Sequence, residues 1–493
     1  MDKKCGVLLP VFSLPSKYGI GTFGVWAYKF VDLLKETGHT YWQVLPLVQT
    51  GYSDSPYSSC SDISGNPYFI DPEILRDEKL LTYREVEKII DKSEKIDYGK
   101  LYATRYDVLR KAFSRFDVEN KAFRSFLKRG EFNDYALYMA LKQRFNLPWY
   151  EWVDEYKLRD EASLKAFEKE NKNEILFWQF VQFEFERQYR ALKKYANSKG
   201  IKIIGDLPFY VAYDSVDVWV NPKDFRLDEN YRPSVVAGVP PDYFSKTGQL
   251  WGNPVYDYDK MRADGFKFWK NRVDHARKLY DLVRIDHFRA FDKFWAVPYG
   301  EETAINGKWE TGGGAELLHA IGTEGLFTED LGLIDDSVRQ LIKSSGLMGM
   351  KVLLFAFDGD ENNPYLPWNV AENSIIYTGT HDNNTIIGSL KALGKEELEK
   401  QKAKISSSLK YLNIYKTLNG VYKIADAILD IAYASESAIT IIPMQDILGL
   451  DGEFRTNLPG SIGCWRTRIK ESLIFTDNVS TLMKRRAKRF LRA

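Results

Sequence analysis

Four apolar runs of this 493-residue chain finish in a carboxylate: Ile204-Gly-Asp206, Arg284-Ile-Asp286, Thr328-Glu329-Asp330 and Thr380-His381-Asp382. Such runs read as buried strands, and in a parallel barrel the residues at the carboxyl ends of the strands face the catalytic mouth. Side chains alternate along a strand, so Arg284, Asp286 and Phe288 share one face and several acids converge on one pocket. Carboxylates that close do not all ionise freely. At least one is expected to keep a proton near neutral pH, while another stays charged. A protonated acid can supply the proton that a glycosidic leaving oxygen requires, and a charged one can act as nucleophile.

Each acid alone reads equally well as a helix cap or an ion-pair partner. Four together, with Arg284, His287, Arg289 and His381 beside them, exceed the structural charges that one barrel end needs. Asp286-His287 and His381-Asp382 could instead ligate a divalent metal in a phosphohydrolase. Adjacent strand residues face opposite ways, however, and the chain has neither a Gly-rich phosphate cradle nor an HxH pair, so no metal is expected. A Ser-His-Asp hydrolase is disfavoured because no GxSxG elbow occurs. The chain holds 12 Trp, 30 Tyr and 29 Phe. Several of these rings lie in Gly/Pro-rich stretches, namely Tyr52, Tyr57, Tyr243, Phe244, Trp251 and Tyr256. Any one of them is more often packing, but as a group they suit the apolar C–H face of a sugar.

The elements that must position these residues are eight buried runs: Gly6 to Phe12, Tyr41 to Leu47, Ile201 to Val211, Leu282 to Phe291, Leu326 to Leu331, Met350 to Phe355, Ser374 to Thr380 and Ile439 to Met444. Helical periodicity lies between them, as in Tyr28 to Thr37, Glu174 to Ser198, Phe266 to Leu279 and Val338 to Ser344. The alternation, without a Ser/Gly-rich or Pro-rich linker, predicts an α/β chain folded as a single (β/α)8 TIM barrel over 1–493. A mostly helical subdomain is expected to be inserted at 48–200, and a rim insertion of the active site at 212–265.

Composition narrows the partners. With 44% hydrophobic residues the chain is globular, and a net charge of +1 offers no field for nucleic acid or an acidic membrane. Cys5, Cys60 and Cys464 are too few and too scattered for a disulfide framework and read as free thiols of a reducing compartment. The run after Met1-Asp-Lys-Lys is short, holds Pro10 and reads as a first strand rather than a secretion signal. No uncharged apolar stretch nears the roughly 20 residues of a membrane span, so a cytoplasmic protein is expected. The basic tail Lys484 to Arg492 reads as the end of a helix with an apolar stripe of Met483, Ala487 and Phe490.

An ordered set of motifs then carries a resemblance. It runs from Gly6-Val-Leu-Leu-Pro and Tyr18-Gly-Ile-Gly-Thr-Phe-Gly24 through Trp42-Gln-Val-Leu-Pro-Leu47, Asp54-Ser-Pro-Tyr57, Gly65-Asn-Pro67 and Gly205-Asp-Leu-Pro-Phe-Tyr-Val211. It continues with Thr247-Gly-Gln-Leu-Trp-Gly-Asn-Pro254, Val283-Arg-Ile-Asp-His-Phe-Arg289, Glu329-Asp-Leu-Gly332, Phe355-Ala-Phe-Asp358, Tyr377-Thr-Gly-Thr-His-Asp-Asn383 and Gln445-Asp-Ile-Leu-Gly-Leu450. In these residues the sequence resembles the 4-α-glucanotransferases (amylomaltase or disproportionating enzyme, glycoside hydrolase family 77), relatives of the α-amylases. The resemblance implies a cofactor-independent, retaining double displacement. Asp286 is then the nucleophile, Glu329 the acid and later the base, and Asp382 the holder of sugar hydroxyls in the distorted transition state. It also implies sugar contacts from Tyr57, Asp206, Arg284, Asp358 and His381, and from a loop carrying Gln249 and Trp251 that favours an acceptor sugar over water. The implied partners are maltooligosaccharides, starch or glycogen-derived glucans, and glucose as acceptor.

The residues agree with that division of labour. Asp286 has the closest cations, as a nucleophile that must stay ionised requires, and a retaining pair should stand about 5 to 5.5 Å apart across the mouth. Alternation puts Glu329 and Asp330 on opposite faces and leaves open which one faces inward, so the choice of Glu329 comes from the resemblance. Trp368, Asn384, Ser389 and Cys464 depart from the family pattern and bear on subsites rather than on the reaction. The alternatives are an α-glucan hydrolase on the same barrel and a catalytically inactive glycan-binding protein.

Overall fold

A parallel strand buried on both faces must be apolar at nearly every position, and eight such segments close into one sheet. The computed structural model describes residues 3–51, 53–241, 245–332 and 334–493. The barrel strands are β1 (Lys4–Leu8), β2 (Tyr41–Gln43), β3 (Lys202–Leu207), β4 (Leu282–Ile285), β5 (Leu326–Thr328), β6 (Gly349–Val352), β7 (Ser374–Tyr377) and β8 (Ile439–Pro443). Each pairs in parallel with the next, and β8 returns to β1 with Lys4 opposite Ile439. The ring closes between β5 and β6 through a parallel bridge from Phe327 to Met348, where the Thr328 N–H donates to the Met348 carbonyl at 2.9 Å. This is the expected (β/α)8 barrel.

Alternation sorts the side chains into two layers. Ile204, Phe327, Met350, Ile375 and Ile441 pack together in one cluster. Their neighbours Ile203, Val283 and Leu326 instead join the cluster containing Phe30 and Trp269, and Ile376 and Ile442 join the one containing Ile424 and Ile428. Those partners lie on the surrounding helices Val25–Thr37, Lys267–Leu279 and Val421–Ala434. Asp206 and Arg284 follow the inward phase of β3 and β4, and both are buried.

The apolar runs overshoot the strands. Pairing stops at Leu8, Gln43 and Leu207, whereas Leu45 and Phe209 beyond them remain buried. Hydrophobicity there reports burial in irregular chain around the mouth, not a ladder. Within 48–200 the chain forms helices that include Tyr98–Arg115, Lys121–Lys128 and Asn133–Phe145, packed on the long barrel helix Lys172–Ser198 through rings such as Phe113 on Phe180. A second sheet was not foreseen. Gln249–Pro254, Val235–Val239, Lys293–Pro298 and Lys308–Thr311 form four antiparallel strands in that order. The first two pair with each other in a stretch of weak periodicity, and the next partner, Lys293–Pro298, comes from beyond β4, so no local pattern announces the sheet.

The final helix, Asp477–Arg489, buries Met483 and Ala487 and, of its basic residues, Arg486, while Lys484, Arg485, Lys488 and Arg489 stay exposed. Arg486 and Arg489 meet Asp430 at 3.0 and 3.3 Å, and buried Arg492 donates to the carbonyls of Tyr433 (2.6 Å) and Ser437 (2.9 Å). Among the described residues no helix is long and apolar enough to cross a membrane.

Gly205 faces out of β3, and a β-carbon there would enter the ring of Tyr280. Gly205→Ala should therefore destabilise the fold by about 1–3 kcal/mol, read as a lower midpoint of urea denaturation. Activity should fall with it because Asp206 is the next residue.

Candidate active site

The inward phase of β4 carries Arg284 into the mouth, where a lone buried guanidinium would be untenable. Its Nη1 donates to Asp206 Oδ2 at 2.6 Å and its Nη2 to Asp286 Oδ1 at 2.7 Å. Tyr57 Oη reaches in from the loop after β2 and donates to the same Asp206 oxygen at 2.6 Å. Burial raises the Asp206 carboxyl above its usual range, against the pull of Arg284. The guanidinium is held well above its own ordinary value, because its two carboxylates outweigh the burial that would lower it.

β4 ends at Ile285, and the Asp286 N–H donates to the Leu207 carbonyl at 3.0 Å. His287 then takes a left-handed backbone, φ 49°. That turn ends the alternation, so Phe288 is not beside Asp286 in the mouth but buried and stacked on Phe291 at 5.0 Å. The same turn aims the His287 N–H at Glu329 Oε2, 2.7 Å away, while the Leu331 N–H donates to Oε1 at 3.1 Å. Burial pushes the Glu329 carboxyl up to about 8; Arg284 and the His287 amide oppose the rise, and the charge of Asp286 adds to it. Asp330 turns the other way and accepts from the Met350 N–H (2.5 Å) and Lys351 Nζ (3.3 Å). The phase that the sequence left open thus joins Glu329, not Asp330, to the Asp286 turn.

Of the cations expected around Asp286, only Arg284 pairs with it directly among the described residues. Burial lowers His287 to about 4, so its ring is neutral at pH 7. The Arg289 guanidinium turns to Asp335 at 3.2 Å and lies over the Trp309 ring.

Asp382 is fixed from a loop that sequence reasoning did not single out. Asn457 Nδ2 donates to Asp382 Oδ1 at 2.6 Å, its backbone N–H holds the His381 carbonyl at 3.0 Å, and Arg455 donates to the Asp382 carbonyl. His381 Nε2 lies 3.4 Å from Asp382 Oδ2. The His381 ring stacks on Tyr57 at 5.2 Å, with Trp465, itself at φ 66°, tilted against both. The one sequence signal was the Pro/Gly-rich stretch Pro459–Gly463 between Asn457 and Trp465, of the kind that builds barrel mouths.

Gln249 and Trp251 belong to the antiparallel sheet. The Trp251 indole N–H donates to Gln249 Oε1 at 3.2 Å, and its ring, 38% exposed, stands edge-on to His287 at 4.8 Å. Asp206, Arg284, Asp286, Tyr57, His381 and Asp382 are thus linked by direct contacts, and His287, next to Asp286 in the chain, joins Glu329 and Trp251 to them. Asp358 is not: it is exposed after β6, and its oxygens accept from the Asp360 N–H and Asn363 Nδ2, both at 3.0 Å. Tyr52, Tyr243 and Phe244 lie outside the described residues.

The departures from the family pattern make contacts with groups other than the three acids. The Trp368 indole N–H donates to the Glu361 carbonyl at 3.3 Å, and its ring packs on Tyr411. Asn384 accepts the Thr385 N–H, Ser389 lies in the helix Ile386–Ala392, and Cys464 Sγ meets the Leu458 N–H at 3.3 Å. All three cysteines are free. Among the described residues no group of three or more His, Cys, Asp and Glu side chains is arranged to hold a metal ion.

Known proteins resemble this chain along most of its length. Residues 9–474 match the family model described as 4-alpha-glucanotransferase. The 4-alpha-glucanotransferase of Clostridium butyricum is 42% identical over 487 residues, covering 96% of this chain and 98% of its own. That of Thermus thermophilus is 42% identical over 484 residues, 95% of each chain. Among solved structures, amylomaltase from Streptococcus agalactiae in complex with acarbose superposes with a TM-score of 0.93 at 36% identity, with both chains covered completely.

A carboxyl whose pKa is higher folded than unfolded binds an extra proton in the folded state, so it costs stability as pH rises from about 4.5 to about 8. Glu329→Gln should therefore melt at a higher temperature than wild type at pH 8, with the gain shrinking towards pH 4. Calorimetry across that range checks the sign.

Proposed function

Because the chain belongs to the 4-alpha-glucanotransferase family, we propose that its barrel mouth moves a 4-α-glucanosyl segment from one α-1,4-glucan to the 4-hydroxyl of another glucan or of glucose, through a covalent intermediate on Asp286. The observation that carries this reading is the contrast between two neighbouring acids. Asp286 is paired with a buried guanidinium at 2.7 Å, and Glu329 is pushed up to about 8 and holds its proton at neutral pH.

In the first half-reaction an Asp286 oxygen forms a bond to the anomeric carbon as the bond to the leaving oxygen breaks, and Glu329 gives that oxygen its proton. The charge left on Glu329 is received by two N–H groups already in place, those of His287 and Leu331. Asp382, oriented by Asn457, holds sugar hydroxyls while the ring flattens. Asp206, Arg284, His381 and Tyr57 make up the rest of the surface that meets the sugar, with Asp358 further out on the loop after β6. In the second half-reaction Glu329 takes the proton from the acceptor 4-hydroxyl, whose oxygen attacks the anomeric carbon and releases Asp286. Trp251, hydrogen-bonded to Gln249, stands edge-on to His287, whose N–H reaches Glu329, and a sugar stacked there as acceptor would exclude water from the intermediate. No step calls for a cofactor. Three unpaired thiols suit a reducing cytoplasm, in which we place the enzyme.

Maltotriose incubated with the protein and a chelator should yield glucose together with a ladder of longer maltooligosaccharides. Asp286→Asn should lower kcat/KM by about four orders of magnitude or more. Shortening without elongation would mean a hydrolase, and binding without turnover a glycan-binding protein.

A further inference from the structure

We propose that His287 is a positioning residue that ties Trp251, on the acceptor side of the mouth, to the acid/base Glu329; the proposal rests on the reading of the mouth given above. For a residue with a β-carbon the left-handed backbone of His287 is uncommon and costly. The conformation has two visible consequences. It directs the amide N–H at Glu329 Oε2, 2.7 Å away, and it carries the imidazole to the edge of Trp251, at 4.8 Å with an interplanar angle of 83°. The turn is braced behind by the Ala290 N–H on the His287 carbonyl at 3.0 Å and by buried Phe288 and Phe291.

Other groups act on Glu329 as well: Arg284 from β4 and Asp286 just after it, Asp330 beside it with Lys351 of β6 as partner, and Tyr365 from the chain after β6. Leu331 supplies the second amide. Among these, His287 is the residue in ring contact with Trp251. A sugar that seats against Trp251 fixes the imidazole, the imidazole fixes the turn, and the turn fixes the amide that receives the charge on Glu329. The ring itself, neutral at pH 7, packs rather than titrates.

Two substitutions separate the backbone from the ring. His287→Asn keeps a residue that enters the left-handed region readily and removes the imidazole; His287→Val opposes that region. The readouts are the pH profile of kcat/KM for maltotriose, whose basic limb reports the free enzyme's acid, and the ratio of transfer to hydrolysis. Losing the amide bond raises the pKa of Glu329, so His287→Val should move the basic limb up by about one pH unit. His287→Asn should leave the limb in place and lower the transfer ratio to that of Trp251→Ala, and the double variant should fall no further. If His287→Val does not fold, His287→Ala should give a smaller shift in the same direction. An unmoved limb in a folded Val or Ala variant, or additive losses from His287→Asn and Trp251→Ala, overturns the proposal. A basic limb that persists in Glu329→Gln would instead overturn the assignment of Glu329 itself.

Discussion

A guanidinium buried between two carboxylates sets the terms for the whole mouth. The β3–β4 register places Asp206 opposite Arg284, so the inward phase of two adjacent strands forces the acid and the base together away from water. A buried charge of either sign would be unaffordable alone. The set is balanced only with Arg284 shared between the two carboxylates. A third carboxylate nearby then finds its neutral form favoured. Burial, with the charge of Asp286 added to it, keeps the proton on Glu329 against the pull of Arg284.

Holding that arrangement requires the loops to be as fixed as the strands. Tyr57 reaches Asp206 from a loop that leads into the helical stretch, and that loop is anchored at depth. Buried Arg272 meets Asp62 Oδ2 at 2.5 Å and donates to the carbonyls of Pro208 and Phe209, just beyond Asp206. The Asp62 N–H in turn donates to Asp217 Oδ2 at 2.9 Å. One helix of the barrel thus ties the segment before Tyr57's partner strand to the segment after it, so the phenol and the carboxylate are positioned by the same arginine.

Much of this was legible in the chain, for definable reasons. Strands buried on both faces write themselves as apolar runs, and acids ending such runs stand out because nothing in a core would tolerate them. The helices Val25–Thr37 and Lys172–Ser198 carry a 3.6-residue period that survives translation into structure. What did not show is whatever depends on one backbone angle or on a distant partner. The turn at His287 redirects Phe288 against the strand phase, and no pattern of residue types specifies a left-handed histidine. Asn457 reaches Asp382 across seventy-odd residues of sequence with no periodicity to link them. The antiparallel sheet is invisible for the same reason, since its strands make sense only in pairs. Asp358 stands where its motif put it in the chain, but its carboxyl is engaged in its own turn.

The three acids differ most in how each is neutralised, and the difference follows the proposed reaction. Asp286 is bound to a cation, the buried guanidinium of Arg284. Glu329 is given two amide N–H groups, which stabilise a charge that comes and goes without fixing it permanently. Asp382 is held by an amide side chain and an adjacent imidazole, and among the described residues no Arg or Lys pairs with its carboxylate directly. Its orientation is set by these partners, with Arg455, bonded to its carbonyl, near enough to feel its charge. Positive charge that develops at a flattening sugar ring is best met by a carboxylate already fixed in place, so the hydrogen-bonded hold on Asp382 is as much a part of the design as the ion pair of Asp286.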